Sequence, residues 1–246
     1  MTRFLLIVVA TALFPVVAAA DAPTSRPAGV DEPSWKRMLD IDATAAAIED
    51  LEADFQQQKF TAMLKKPLLS SGRVFVRGPA MLWDTNKPEA NVLQINDREV
   101  RIYYPSQKTI EVFQLEQKLG QLAASPLPRL SVLQQHFTFK PLPLAEMGES
   151  DEARFFAVEM TPIDPAMREH VERVRVLLDA SIGLITRFEM LDADGDRTLI
   201  SFSNAKPNVG IKDEQLRIAA PAGVKITRPL AALEGSSPPP VQDQAK

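Results

Sequence analysis

From Phe55 to Asn204 the chain breaks into short runs in which apolar and polar residues alternate, and each run ends in turn chemistry. That period of two is the strongest constraint on the fold, because it puts every second side chain on one face of a strand. Val100, Ile102 and Tyr104 oppose Arg101 and Tyr103, while Val174, Val176 and Leu178 oppose Arg173, Arg175 and Asp179. Leu184, Phe188 and Met190 oppose Arg187 and Glu189, and Phe156, Val158 and Met160 oppose Glu159. Such a sheet has one dry face and one wet face.

The pattern predicts strands at Phe55–Leu64, Leu69–Arg77, Met81–Asn86, Asn91–Asn96, Val100–Tyr104 and Thr109–Leu115. Lys66-Pro67, Gly78-Pro79, Lys87-Pro88, Asn96-Asp97 and Tyr104-Pro105-Ser106 separate them as turns. Further strands are predicted at Phe137–Leu144, Arg154–Thr161, Glu172–Asp179, Leu184–Asp192 and Arg197–Asn204, with an edge segment near Gln215–Ala219. Short turns imply an antiparallel meander, since parallel neighbours need long crossovers. About eleven strands are too many for a flat sheet, so it must curl or split.

Helical spacing is confined to two places. Trp35, Met38, Leu39, Ala45, Ile48 and Leu51 form one stripe, which predicts a helix over Glu32–Ala53. Asp40, Asp42 and Thr44 mark a point where it can split, because short polar side chains cap helices. Glu116–Ala124 and Ser131–His136 form a helical insertion around Ser125-Pro126-Leu127-Pro128. This is little helix to cover a broad dry face. Two outcomes fit: an apolar hollow between the layers, suited to an apolar ligand, or a gap that side chains fill completely.

The ends read differently. Residues 1–20 have the form of a secretory signal, with Arg3, an apolar run from Phe4 to Val17 and small residues at Ala18-Ala19-Ala20. The run is shorter than the roughly 20 residues of a spanning helix. Removal of the signal would leave 246 − 20 = 226 residues. A flexible leader is expected over residues 21–33, one domain over 34–230 and a disordered Pro-rich tail over 231–246. Export predicts a periplasmic location.

Composition narrows the chemistry. With no cysteine the chain holds no disulfide, thiol nucleophile or lipid-anchoring cysteine, and a core must stabilise it. The net charge is −4, with Lys and Arg scattered, so no basic stripe points to nucleic acid. Asp192-Ala193-Asp194-Gly195-Asp196 resembles a calcium loop but lacks the flanking helices and twelfth-position Glu of an EF-hand, and reads as a hairpin turn. The two histidines, His136 and His170, stand outside any Cys/His cluster. With no Gly-x-Ser-x-Gly elbow or phosphate loop, the expectation is a protein without catalysis, cofactor or metal.

Several motifs occur in a characteristic order. Phe55-Gln56-Gln57 leads into the first strand, and Ser71-Gly72-Arg73-Val74-Phe75-Val76-Arg77 is a strand led by Gly72. Pro79-Ala80-Met81-Leu82-Trp83 ends at Lys87-Pro88. Val176-Leu177-Leu178-Asp179-Ala180-Ser181-Ile182-Gly183 forms a hairpin, Leu199 to Asn204 a strand, and Ala219-Ala220-Pro221-Ala222-Gly223-Val224 closes the series. From about Ile48 to Pro229 the chain thus resembles the LolA-type outer-membrane lipoprotein carriers. The stretch Leu64–Gly72 resembles a divergent branch from lipid and aryl-polyene export clusters.

The resemblance implies an α+β fold: a strongly curved antiparallel half-barrel, closed by an N-terminal helix and a short helical insertion that form a lid over an apolar cavity. It also implies a monomeric periplasmic carrier that takes acylated lipoprotein or lipid cargo from an inner-membrane donor to an outer-membrane acceptor. Candidate lining residues are Val74, Val76, Trp83, Leu93, Ile95, Ile102, Tyr104, Val112, Val158, Met160, Val176, Phe188, Met190 and Phe202, with Ile48 and Leu51 reaching in from the helix. The family's Phe-Arg-Trp, whose arginine is taken to hold the lid, is Met81-Leu82-Trp83 here, which implies closure through other contacts or a looser lid. The alternative is a non-catalytic partner-binding or lipid-sensing module with a filled interior.

Overall fold

The computed structural model describes residues 25–96, 99–114, 125–127 and 129–228. The expected signal, the start of the leader, the helical stretch Glu116–Ala124 and the Pro-rich tail lie outside the described residues.

Helix α1 spans Glu32–Ala46 without a split. Asp31 caps it by accepting a hydrogen bond from the Ser34 N–H at 2.7 Å, and Pro33 occupies the first turn, where a missing N–H costs nothing. The helix stops before the expected Ala53, and Ile48 and Leu51 are not on it. Leu51, Ala53 and Phe55 alternate as strand residues, and all three are buried. Leu51 suits either period when read from α1 or from the following strand, so pattern alone misplaced the boundary.

Twelve strands follow: β1 Asp50–Phe60, β2 Leu68–Arg77, β3 Ala80–Lys87, β4 Asn91–Ile95, β5 Glu99–Tyr104, β6 Thr109–Gln114, β7 Phe137–Leu142, β8 Phe155–Pro162, β9 Val171–Asp179, β10 Leu184–Asp192, β11 Arg197–Pro207 and β12 Lys225–Thr227. They form one open, curved sheet in the order β12-β6-β5-β4-β3-β2-β1-β11-β10-β9-β8-β7. Two meanders, β1–β6 and β7–β11, meet where β1 pairs with β11. Pairing is antiparallel except for β12, which lies parallel to β6. The expected edge strand at Gln215–Ala219 is absent: Asp213–Leu216 is a 3-10 turn, and the edge is β12. Bulges at Glu52/Asp54, Ser71/Gly72 and Ile185/Arg187 bend the strands.

Helix α2, Leu130–His136, lies with α1 over the concave face. Trp35 and Met38 from α1 and Leu130 and Leu133 from α2 pack on Phe55, Trp83, Met160, Val176 and Phe188. Burial of each large side chain contributes about 1.5–3 kcal/mol. The outer face is less wet than the alternation predicts. Phe75 and Leu82 are covered by Ile211 and Leu216, and Tyr103, Ile110 and Val112 by Ile218, Ala220 and Val224. The segment after β11 therefore works as a strap across the back of the sheet.

Asp179 ends β9 with its side chain fully buried. It accepts hydrogen bonds from Arg154 Nε at 2.9 Å, Ser181 N at 3.0 Å and Ser181 Oγ at 2.5 Å. Burial pushes the carboxyl pKa up, but the Arg154 and Ser181 hydrogen bonds outweigh it and hold the group below its ordinary value. A carboxyl depressed in the folded state stabilises above the unfolded value, about 3.9, and that stabilisation is lost as pH falls through the folded value. Asp179→Asn is therefore expected to lower stability by about 2 kcal/mol near neutral pH. The same variant should lose less than the parent between pH 5 and pH 3. Thermal melts of both proteins across that range check the sign; parallel curves would reject it.

Candidate functional site

Between the two helices and the β7–β10 half of the sheet lies a cavity of about 40 Å³. Met38 of α1 and Leu130 and Leu133 of α2 form its roof; Phe139, Val158, Met160, Val176, Leu178 and Ile185 form its floor. Asp42 is the one charged residue in the lining. A water needs about 10–15 Å³, so the hollow has room for about three waters. It is open on one side, and its volume is too small for a hydrocarbon tail.

The contact that joins the two helices at its rim is polar. Asp42 accepts from Arg129 Nε at 3.1 Å and from Arg129 Nη2 at 3.0 Å, a bidentate pair. It also accepts from the Leu130 N–H at 2.8 Å. Helix α2 has no side-chain cap of its own, so Asp42 supplies one from α1 and meets the positive end of α2. The Asp42 carboxylate is nearly buried, whereas Arg129 is more than a third exposed, so water reaches one partner. Asp42 was legible as a capping residue, but the helix it caps is the other one.

The structure distributes the predicted lining residues unevenly. Val158, Met160 and Val176 line the hollow. Leu51, Val74, Val76, Trp83, Ile95 and Phe188 are buried in the packed core, where the Trp83 ring meets Phe55 at 4.6 Å and Phe202 at 5.8 Å between centroids. Ile48, Leu93, Ile102, Met190 and Phe202 pack against that core from its margin. Tyr104 is half-buried, and burial followed by the charge of Glu111 pushes its phenol above the ordinary value.

Val112 faces the other way. It pairs with Arg101 and packs on Tyr103 behind the sheet, and Phe113 takes the inner position. Leu82 lies on the outer face with Phe75 under the strap, on the side of the sheet away from the hollow, and the contact between the helices is made by Asp42 and Arg129. Six apolar lining residues were missed: Met38, Leu130, Leu133, Phe139, Leu178 and Ile185. Met38 and Leu178 stood in the apolar stripes. Ile185 was hidden by the Ile185/Arg187 bulge, which shifts the alternation within β10.

The acidic turn Asp192, Asp194 and Asp196 brings its three carboxylates within 4.8 Å of one another. The Lys59 ammonium stands 3.8 Å from Asp192 and 3.6 Å from Asp196, which supplies a cation from the chain itself.

Residues 46–218 match the family model described as outer membrane lipoprotein carrier protein LolA. An outer-membrane lipoprotein carrier protein of Dechloromonas aromatica is 27% identical over 177 residues, covering 72% of this chain and 80% of the relative. One from Cupriavidus pinatubonensis is 24% identical over 216 residues, covering 86% and 93%. The crystal structure of a LolA superfamily protein from Nitrosomonas europaea aligns at a TM-score of 0.44 and 15% identity, covering 74% of this chain and 96% of that one. The family match extends over well more than half the chain, from the end of the lid helix α1 into the strap, and the chain belongs to the LolA family of outer-membrane lipoprotein carrier proteins.

Proposed function

We propose that this chain is a periplasmic, non-catalytic carrier that shelters the acyl chains of a lipoprotein or other lipid cargo between inner and outer membranes. The observation that carries the reading is the apolar hollow beneath two helices that are pinned at its rim by the Asp42–Arg129 pair. Each acyl CH₂ moved out of water gains about 0.8 kcal/mol, so even a partly sheltered tail is strongly favoured. A carrier must also release its load. A small hollow fits both needs if cargo enlarges it by displacing α1 and α2 and the lid re-forms after release. Among the described residues no helix is long and apolar enough to cross a membrane, which is compatible with shuttling. The exported form would begin near Asp21, after the signal.

The test removes the pin. Asp42→Ala and Arg129→Ala each delete a charge-assisted pair worth about 1.5 kcal/mol, so uptake of a fluorescent fatty acid should rise about tenfold in rate or affinity. Native mass spectrometry of the parent protein from a periplasmic extract should show co-purifying lipid or lipopeptide. Protein that is always empty, and variants that ignore the fatty acid, would sink the carrier reading. One observation favours a partner-binding module instead: Phe55, Trp83 and Phe202 fill the interior beyond the hollow. That alternative predicts no uptake and a stable complex with a protein partner.

A further inference from the structure

We propose that the tip of the β1–β2 hairpin is a contact element for an anionic lipid surface. Nine large apolar side chains are exposed among the described residues, and four of them fall between positions 63 and 69. Met63 is 93% exposed, Leu64 47%, Leu68 55% and Leu69 60%. Lys65 and Lys66 stand between them, exposed and outside any ion pair among the described residues. Apolar side chains clustered in this way mark an interaction site, whereas single exposed ones need no explanation.

The hairpin is placed to reach outward. β3 pairs with β2 only as far as Ser71, so Leu68, Leu69 and Ser70 run on beyond β3 and pair with β1 alone. Leu68 stands opposite Lys59 and Leu69 opposite Gln58, on the two faces of the hairpin. The loop from Thr61 to Pro67 then carries Met63 and Leu64 past the last strand pairing. A tip with apolar side chains on both faces suits entry into a layer, because neither face would be left in water.

Charge selects the occupant. The chain as a whole carries −4, so a general attraction to anionic lipid is absent, and two unpaired lysines at this tip are a local exception. Basic side chains flanked by Leu and Met fit the headgroup boundary, with ammonium groups at phosphates and apolar groups just below. Each lysine near an anionic surface is worth about 1 kcal/mol, about fivefold in partitioning. Contact would be weak and reversible. It does not depend on the carrier reading, since a partner-binding module could use the same tip.

The experiment is sedimentation of the soluble, processed chain with vesicles of phosphatidylcholine alone and of phosphatidylcholine mixed with phosphatidylglycerol. Binding is expected to the mixed vesicles, to weaken as salt is raised, and to fall about 25-fold in Lys65→Ala/Lys66→Ala. Met63→Ser/Leu64→Ser should also lose binding while its melting temperature and fatty-acid uptake stay at the parent values. Equal binding to both vesicle types, no binding to either, or variants that bind like the parent would overturn the proposal. So would light scattering that shows the tip occupied by a second copy of the chain, or capture of the parent by an acidic protein with vesicles ignored.

Discussion

Gly72→Ala is expected to lower stability by at least about 3 kcal/mol, which for a chain of this size is a fall of roughly 10 °C in melting temperature. The residue sits at the Ser71/Gly72 irregularity, where β2 is paired on one side with Phe55 and on the other with Thr85. A methyl group added at Gly72 would lie 2.0 Å from the Asp84 carbonyl oxygen and 2.8 Å from both Asp84 C and Thr85 Cα. Those atoms are backbone of β3, held by strand pairing on both sides, so no side-chain rotation relieves the overlap. β3 would have to leave β2, taking Trp83 away from Phe55. Thermal unfolding and near-ultraviolet dichroism of the tryptophans check this; a variant within 1 kcal/mol of the parent would show that the two strands have slack. The same glycine opens the Ser71-Gly72-Arg73 motif, so the motif has a backbone reason and needs no ligand to explain it.

Asp50→Ala is expected to cost about 3 kcal/mol and to loosen the strap before the sheet. The Asp50 carboxylate accepts from the N–H groups of Val209 at 2.8 Å, Gly210 at 3.0 Å and Ile211 at 3.0 Å. Alanine leaves those donors without an acceptor, and that of Ile211 is buried. Because Ile211 and Leu216 cover Phe75 and Leu82, the variant should bind a hydrophobic dye and exchange its amide hydrogens faster from 209 to 216. Asp50→Asn keeps one acceptor oxygen and should lose less. Unchanged exchange in the strap of the alanine variant would mean that Arg77, which donates to the Ile211 carbonyl at 2.6 Å, anchors it alone.

Much of the sheet was legible because strand residues report their own facing. Leu184–Asp192 runs as its alternation predicts apart from its bulge, and Leu68–Arg77 and Phe155–Pro162 differ from their expected ends by a residue each. Legibility failed where both faces are apolar. In β6, Ile110 and Val112 look like an inner stripe, yet they point outward, because the strap turns part of the outer face into a second dry layer. No local pattern can show a cover that arrives from a hundred residues further along the chain. The α1–β1 junction failed for a related reason, since Leu51 satisfies both periods and the choice is made by its neighbours in space.

The exposed tip was visible as a stretch of leucines and lysines, but whether such leucines are buried is a tertiary matter. The lining was only partly visible for the same cause. Alternation sorts residues to the inner face, and more than a dozen qualify there; packing then decides which of them border a gap.

By itself, then, the amino-acid order determined the strands, their turns and, for most of them, the side that avoids water, since each of these follows from a few adjacent residues. Tertiary structure decided where the layers stay apart and what pins them, because a gap depends on the distance between elements remote in the chain. The bond from Arg129 to Asp42 spans 87 positions, and only the folded molecule brings its ends together.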